Sequence, residues 1–216
     1  MKLSMPEELL LLMLDDESGR LQEGAAPSGD FALAGAILAE LTLAGRIDTG
    51  RSKLTVTDPT PAGDKLLDRV LARLAAETRM RDTRHWIELL GADAEDYREE
   101  LFECLVRKGV LRREEGRFLW VFPERRYPAV SGREEREVKA RLLGLIFHDA
   151  MPDHRDALLI GLCRAAGLFA LILASHELER LQPLIEQIAN LEELNRSLSD
   201  AIREIYAQIA RFAPMV

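Results

Sequence analysis

The sequence predicts a mainly α protein: a single helical domain around a central bundle, with two or so short β-hairpins. Three observations carry that expectation. Apolar residues recur at helical spacing through most of the 216 residues. Capping residues and glycines punctuate those stretches. One stretch, residues 157–174, is so nearly all apolar that it must be buried on most faces, which makes it the expected centre of the bundle.

Taken in order, Ser4 and Glu7 form an S-x-x-E capping box ahead of an apolar run at residues 9–14. Pro6 is tolerated in that first turn because its missing N–H has no intrahelical partner there. Residues 15–20, Asp-Asp-Glu-Ser-Gly-Arg, break the helix. A second helix is expected over about residues 31–44, ended by Gly45 as a left-handed cap. Residues 46–48, a turn at Thr49-Gly50 and residues 53–57 read as a small hairpin. After a Pro- and Gly-containing loop, Asp64 caps a helix with Leu67, Val70, Leu71 and Leu74 on one face. Asp82 caps a short helix through Trp86 and Leu90, expected to close at Gly91. Another helix starts near Asp93, carries Tyr97, Leu101, Leu105 and Val106, and stops at Gly109. Residues 110–122 read as a second hairpin turning at Glu115-Gly116. Ser131 and Glu134 form a second capping box, followed by Val138, Leu142, Leu145 and Ile146 at helical spacing. Helices over about 153–174, 176–190 and 191–212 complete the chain.

Composition narrows the function classes. A chain that is 47% hydrophobic and 31% charged is globular. Its net charge of −8 supplies no global field for nucleic acid or anionic lipid, so any such contact needs a local basic patch. Cys104 and Cys163 both sit in apolar helical runs, which points to reduced thiols and an intracellular home. The first residues lack the charged-then-apolar layout of a signal peptide. Residues 157–174 fail as a membrane span: Arg164 stands mid-run, flanked by Gly161 and Gly167, where a span needs about 20 apolar residues. Membrane contact, if any, is therefore expected to be peripheral. The basic residues are 24 Arg against 5 Lys, a bias of GC-rich codon usage that points to a bacterial source.

Catalytic signatures are absent. There is no G-x-S-x-G, Walker loop or dinucleotide fingerprint, so no enzyme and no cofactor are expected. His148-Asp149 and Asp153-His154 bracket an interhelical turn, but their spacing matches no standard metal pattern, and a polar turn produces such clusters readily.

The sharpest local feature is Phe118-Leu119-Trp120-Val121-Phe122. As one strand it would be apolar on both faces, with Phe118, Trp120 and Phe122 on one side and Leu119 and Val121 on the other. Such a strand is either wedged into the helical core or awaits a partner. Arg112, Arg113, Arg117, Arg125 and Arg126 flank it, with Arg107 and Lys108 just before. Against Glu114, Glu115 and Glu124 this gives +7 − 3 = +4 over residues 107–126. Aromatics set among arginines suit an anionic membrane interface, and equally a homo-oligomer interface. Helix-then-hairpin also reads as a winged-helix DNA-binding module, but the helix over residues 31–44 has no basic residue and no Asn or Gln to read bases, so no nucleic acid is expected.

The strings "PEELLLLML", "AGAILAELTLAGRI", "DPTPAGDKLLDRVL", "WIELL", "LVRKGVL", "RFLWVFPERRYP" and "MPDHRDALLIGL" occur in an order that resembles the Golgi phosphoprotein 3 family along nearly the whole chain, read as one domain over residues 1–216. The resemblance implies a mostly helical fold and a peripheral membrane protein, cytoplasmic and membrane-associated, with its hairpin serving membrane insertion and self-association. Eukaryotic members bind phosphatidylinositol 4-phosphate through a Trp, an Arg early in the second helix, and an R-x-x-R pair before "KGVL". Those positions fall here near Ala25, on Ala34, and on Glu95 and Arg98, so Arg98 alone is retained. The expected partners are an anionic phospholipid surface and a second copy of the chain.

Overall fold

The computed structural model describes residues 2–15, 18–25, 28–49, 53–118, 122–148, 150–191 and 193–212, with the side chains of 116–118, 122–124, 193, 195, 206 and 208–212 left aside. Its described residues form ten helices and two small antiparallel sheets: α1 Met5–Leu12, α2 Ser28–Leu43, β1 Ile47–Asp48, β2 Lys53–Val56, α3 Lys65–Ala76, β3 Arg81–Asp82, α4 Thr83–Ala92, α5 Ala94–Arg107, β4 Glu114–Phe118, β5 Phe122–Arg126, α6 Arg133–Phe147, α7 His154–Ala165, α8 Phe169–Ile172, α9 Ser175–Ala189 and α10 Glu193–Phe212. The mainly α class is as the sequence predicts.

Local signals place most boundaries. Asp64 accepts from the Leu66 and Leu67 amides at 2.9 and 3.1 Å, Asp82 from His85 at 2.7 Å and Asp153 from Asp156 at 2.7 Å, each satisfying amides that a helix start leaves unpaired. Gly45 and Gly109 adopt the left-handed conformation past α2 and α5.

Three expectations fail, one for a tertiary reason and two at the backbone of a glycine. Gly91 does not end α4 but lies inside it, buried, where the Phe31 ring packs on the space a side chain would fill. Ser131 does not cap α6: Gly132 holds that place with φ +62°, and Ser131 and Glu134 make no capping box. The apolar run over 157–174 is not one helix, because Gly167 turns it at φ +73° between α7 and α8. Residues 156–163 are buried as expected, whereas Ala170 and Ala174 are exposed. The first hairpin also gains a strand: β3 pairs with β2 through Lys53↔Asp82 and Leu54↔Arg81, giving the order β1-β2-β3.

The centre of the bundle is α2 with α7. The second helix packs on α1, α4, α7 and α10, and is buried along nearly its whole length. It therefore has no free face to lay in a DNA groove.

Every residue of α1 is buried, including Glu7 and Glu8. Buried carboxylates need partners, and three cations supply them. Lys108 Nζ lies 2.6 Å from both Glu7 oxygens. The Arg141 Nη2 donates to Glu8 at 3.0 Å, and its Nε to Asp156 at 2.9 Å. Arg155 donates to Glu40 at 2.8 and 3.0 Å, to the Leu3 carbonyl at 3.0 Å and to Glu8 at 3.4 Å. Glu40 in turn accepts the Met5 amide at 2.6 Å, and Glu7 the Ser4 amide at 2.7 Å. One guanidinium thus ties α1, α2 and α7 together.

Replacing it should be costly. Arg155→Met leaves Glu40 without its cation and Glu8 with Arg141 alone, and is expected to cost about 3–5 kcal/mol in urea unfolding. Arg133→Met, which breaks the exposed Arg133–Glu137 pair, should cost less than about 1 kcal/mol. Equal losses would show that the network does not hold the fold.

Candidate functional site

The second hairpin is the candidate contact element. Its register is Glu114↔Arg126, Glu115↔Arg125, Gly116↔Glu124, Arg117↔Pro123 and Phe118↔Phe122. This corrects the reading of 118–122 as one strand with a turn at Glu115-Gly116. Gly116 is paired mid-ladder, and Phe118 and Phe122 stand opposite one another. Opposite charges across the strands, Glu114 with Arg126 and Glu115 with Arg125, favour this register over one centred on the glycine. Leu119, Trp120 and Val121 lie outside the described residues, and Phe118, Phe122 and Arg117 are described by their backbone alone.

The base of the hairpin is fastened to the helical body. Arg112 N donates to the Pro128 carbonyl at 3.0 Å, Val130 N to Val110 at 2.9 Å, and Tyr127 N to Gly19 at 2.9 Å. The Tyr127 ring stacks on Phe102 of α5, with centroids 4.1 Å apart and planes within 4°. Gly19, at φ +65°, lets the loop after α1 run directly over the Tyr127–Pro128 backbone.

Beyond that base the described side chains are solvent-facing. Arg112, Arg113 and Arg125 are exposed and Arg126 is half-buried. The arginines are matched by carboxylates: Arg112 Nε to Glu114 at 2.9 Å, Arg113 Nη2 to Glu115 at 2.9 Å, and Arg125 Nη1 to Glu99 of α5 at 2.9 Å. Counting only nearby acids leaves the basic run short of partners. The fold lends it Glu99, and gives Lys108 the buried Glu7.

The four positions that the resemblance implies for a lipid headgroup are brought to a different chemistry. Ala25 and Ala34 are core residues, fully buried. Glu95 is an exposed carboxylate one turn before Arg98 on α5. Arg98 is ion-paired through Nη1 with Asp30 of the first turn of α2, both side chains mostly buried, at 16% and 20% exposure. Asp30 is the residue that sequence reading missed. A carboxylate in the first turn of a helix is favoured by the helix dipole, so by itself it is unremarked; its partner lies 68 positions away.

No described helix is long and apolar enough to cross a membrane. Among the described residues, no three His, Cys, Asp or Glu side chains are placed to hold a metal ion; Asp149 lies outside them.

A family model described as Golgi phosphoprotein 3 (GPP34) matches residues 5–205. The chain belongs to the Golgi phosphoprotein 3 family. Its similarity extends to vacuolar protein sorting-associated protein 74 of Eremothecium gossypii, 29% identical over 165 residues that cover 67% of this chain and 49% of the relative. The protein of the same name from Schizosaccharomyces pombe is 28% identical over 166 residues, 67% of this chain and 48% of the relative. The chain thus matches about half the length of these curated relatives. For a Golgi phosphoprotein 3 family member, the hairpin lies inside the matched span and the headgroup positions can be compared one by one, as above.

The hairpin base generates a prediction. At Gly19 a side chain would meet a left-handed backbone and overlap the Pro128 nitrogen. Gly19→Ala should destabilise the protein by about 1–3 kcal/mol and accelerate hydrogen exchange at the Tyr127 amide, whose acceptor is the Gly19 carbonyl. Unchanged exchange there would separate the hairpin base from this loop.

Proposed function

We propose that this member of the Golgi phosphoprotein 3 family is a peripheral membrane protein, cytoplasmic and membrane-associated, that binds anionic lipid surfaces by charge through its aromatic hairpin, without selectivity for a 4-phosphate headgroup. The carrying observation is the Arg98–Asp30 pair. A phosphomonoester draws its affinity from charge-assisted, often bidentate hydrogen bonds. At the headgroup position, the retained guanidinium already satisfies a carboxylate, Glu95 adds a second negative charge, and two alanines offer no donor. The hairpin, by contrast, carries Arg112, Arg113 and Arg125 exposed, where each basic residue near an anionic surface is worth about 1 kcal/mol. A Trp between the strands suits the headgroup level.

Binding of this kind responds to charge density and is screened over about 10 Å at 0.1 M salt. Co-sedimentation with phosphatidylcholine vesicles should give equal binding for phosphatidylserine and phosphatidylinositol 4-phosphate matched in total charge, falling steeply as salt rises. A strong preference for the 4-phosphate at matched charge would overturn this reading and require a pocket other than the one around Arg98.

Homo-oligomerisation is the second reading, favoured by the combination of aromatic residues and arginines in one hairpin sequence. Trp120→Ala is expected to weaken vesicle binding while leaving thermal unfolding nearly unchanged, because truncating a core Trp would instead cost about 3–5 kcal/mol. Loss of self-association in light scattering, with vesicle binding intact, would assign the hairpin to a second copy of the chain.

A further inference from the structure

The hairpin is joined to the helical body by an ion pair that stands in solvent. Arg125 Nη1 lies 2.9 Å from Glu99 Oε1, with the side chains 54% and 60% exposed. Glu99 is the middle of a row on the outer face of α5: Glu95, Glu99 and Glu103, at successive four-residue steps, are all exposed. Like charges at that spacing repel, so a cation over the middle of the row relieves the helix. The hairpin supplies it. The other carboxylate facing Arg125 in the ladder, Glu115, is already taken by Arg113.

An exposed pair of this kind shifts an equilibrium by about five-fold at most. An arginine brought to an anionic membrane surface gains a factor of similar size, about five-fold. The two are close to balance, so a charged surface can take Arg125 from Glu99. The hairpin base would stay fixed, held by the Tyr127–Phe102 stack and the Tyr127–Gly19 hydrogen bond.

We propose that Glu99 is an internal latch: it holds the hairpin against α5 through Arg125 in the free protein and releases it at an anionic surface. The use of the latch rests on the membrane reading above; the latch itself is a property of the free protein, which lets the two be tested apart. Glu99→Gln removes the latch. Glu103→Gln removes the same charge from the same row one turn on, and so controls for general relief of repulsion from the surface.

In the vesicle-free 216-residue chain, Glu99→Gln should raise hydrogen exchange across 114–118 and 122–126 by about two- to five-fold over Glu103→Gln. With phosphatidylserine-containing vesicles it should bind about two- to five-fold more tightly than Glu103→Gln. In an Arg125→Gln background that difference should vanish. Equal exchange in the two Gln variants overturns the latch, whatever the vesicles show. Faster exchange in Glu99→Gln without tighter binding than Glu103→Gln overturns its role at the membrane. Faster exchange together with no vesicle binding by the wild-type chain supports the latch and overturns the membrane reading.

Discussion

The structure depends on how two carboxylates are kept inside it. The first helix has no exposed face, yet Glu7 and Glu8 stand in its first turn. They are suited to that turn by the helix dipole, but burial makes each of them a liability unless a cation is delivered with good geometry. Lys108 from the end of α5, Arg141 from α6 and Arg155 from α7 make that delivery. The three helices are thereby placed relative to α1 by requirements of charge, and the apolar contacts of α2 with α1, α4, α7 and α10 fill the space so defined. Hydrophobic burial supplies most of the driving force for such a bundle, but it is nearly indifferent to helix register. The ion pairs are not.

This division explains what the sequence reveals and what it conceals. Features decided within a few residues are legible. Asp64, Asp82 and Asp153 cap the helices expected of them, and Gly45 and Gly109 end α2 and α5. Features decided by a distant neighbour are not. Gly91 resembles a helix terminator, but its missing side chain makes room for Phe31 inside α4. Gly116 resembles a turn, but the charges of Glu114 and Glu115 align with Arg126 and Arg125 and carry it into the ladder. Gly167 is visible in the sequence but weak as a signal: an apolar run is expected to continue as one helix, and a single glycine weakens a helix by only about 1 kcal/mol.

The candidate site follows the same rule. The hairpin's composition, aromatic at the centre and arginine-rich at the flanks, is visible in the chain, and so is the loss of three of the four family headgroup positions at Ala25, Ala34 and Glu95. What the chain cannot display is the occupancy of the cations. Arg98 reads as a retained anion ligand until Asp30 is found against it, and Arg125 reads as an unmatched membrane anchor until Glu99 is found beneath it. Both partners are acids in helices, a setting in which the ordinary reading of an acid is a solvated surface residue.

The two pairs differ in one respect that decides what each can do. Arg98 and Asp30 are mostly buried, so separating them would strand both charges in a poorly hydrated place, and an incoming phosphate would have to offset that loss as well as the repulsion of Glu95. Arg125 and Glu99 are both more than half exposed, so water and salt already compete with the pair and its members separate at little cost. The same chemistry, one arginine on one carboxylate, is therefore costly to separate at Arg98 and cheap to separate at Arg125. Burial sets the difference, and burial is a property of the fold. That contrast is the physical basis for the proposal that the protein responds to the charge of a surface and not to the identity of a headgroup.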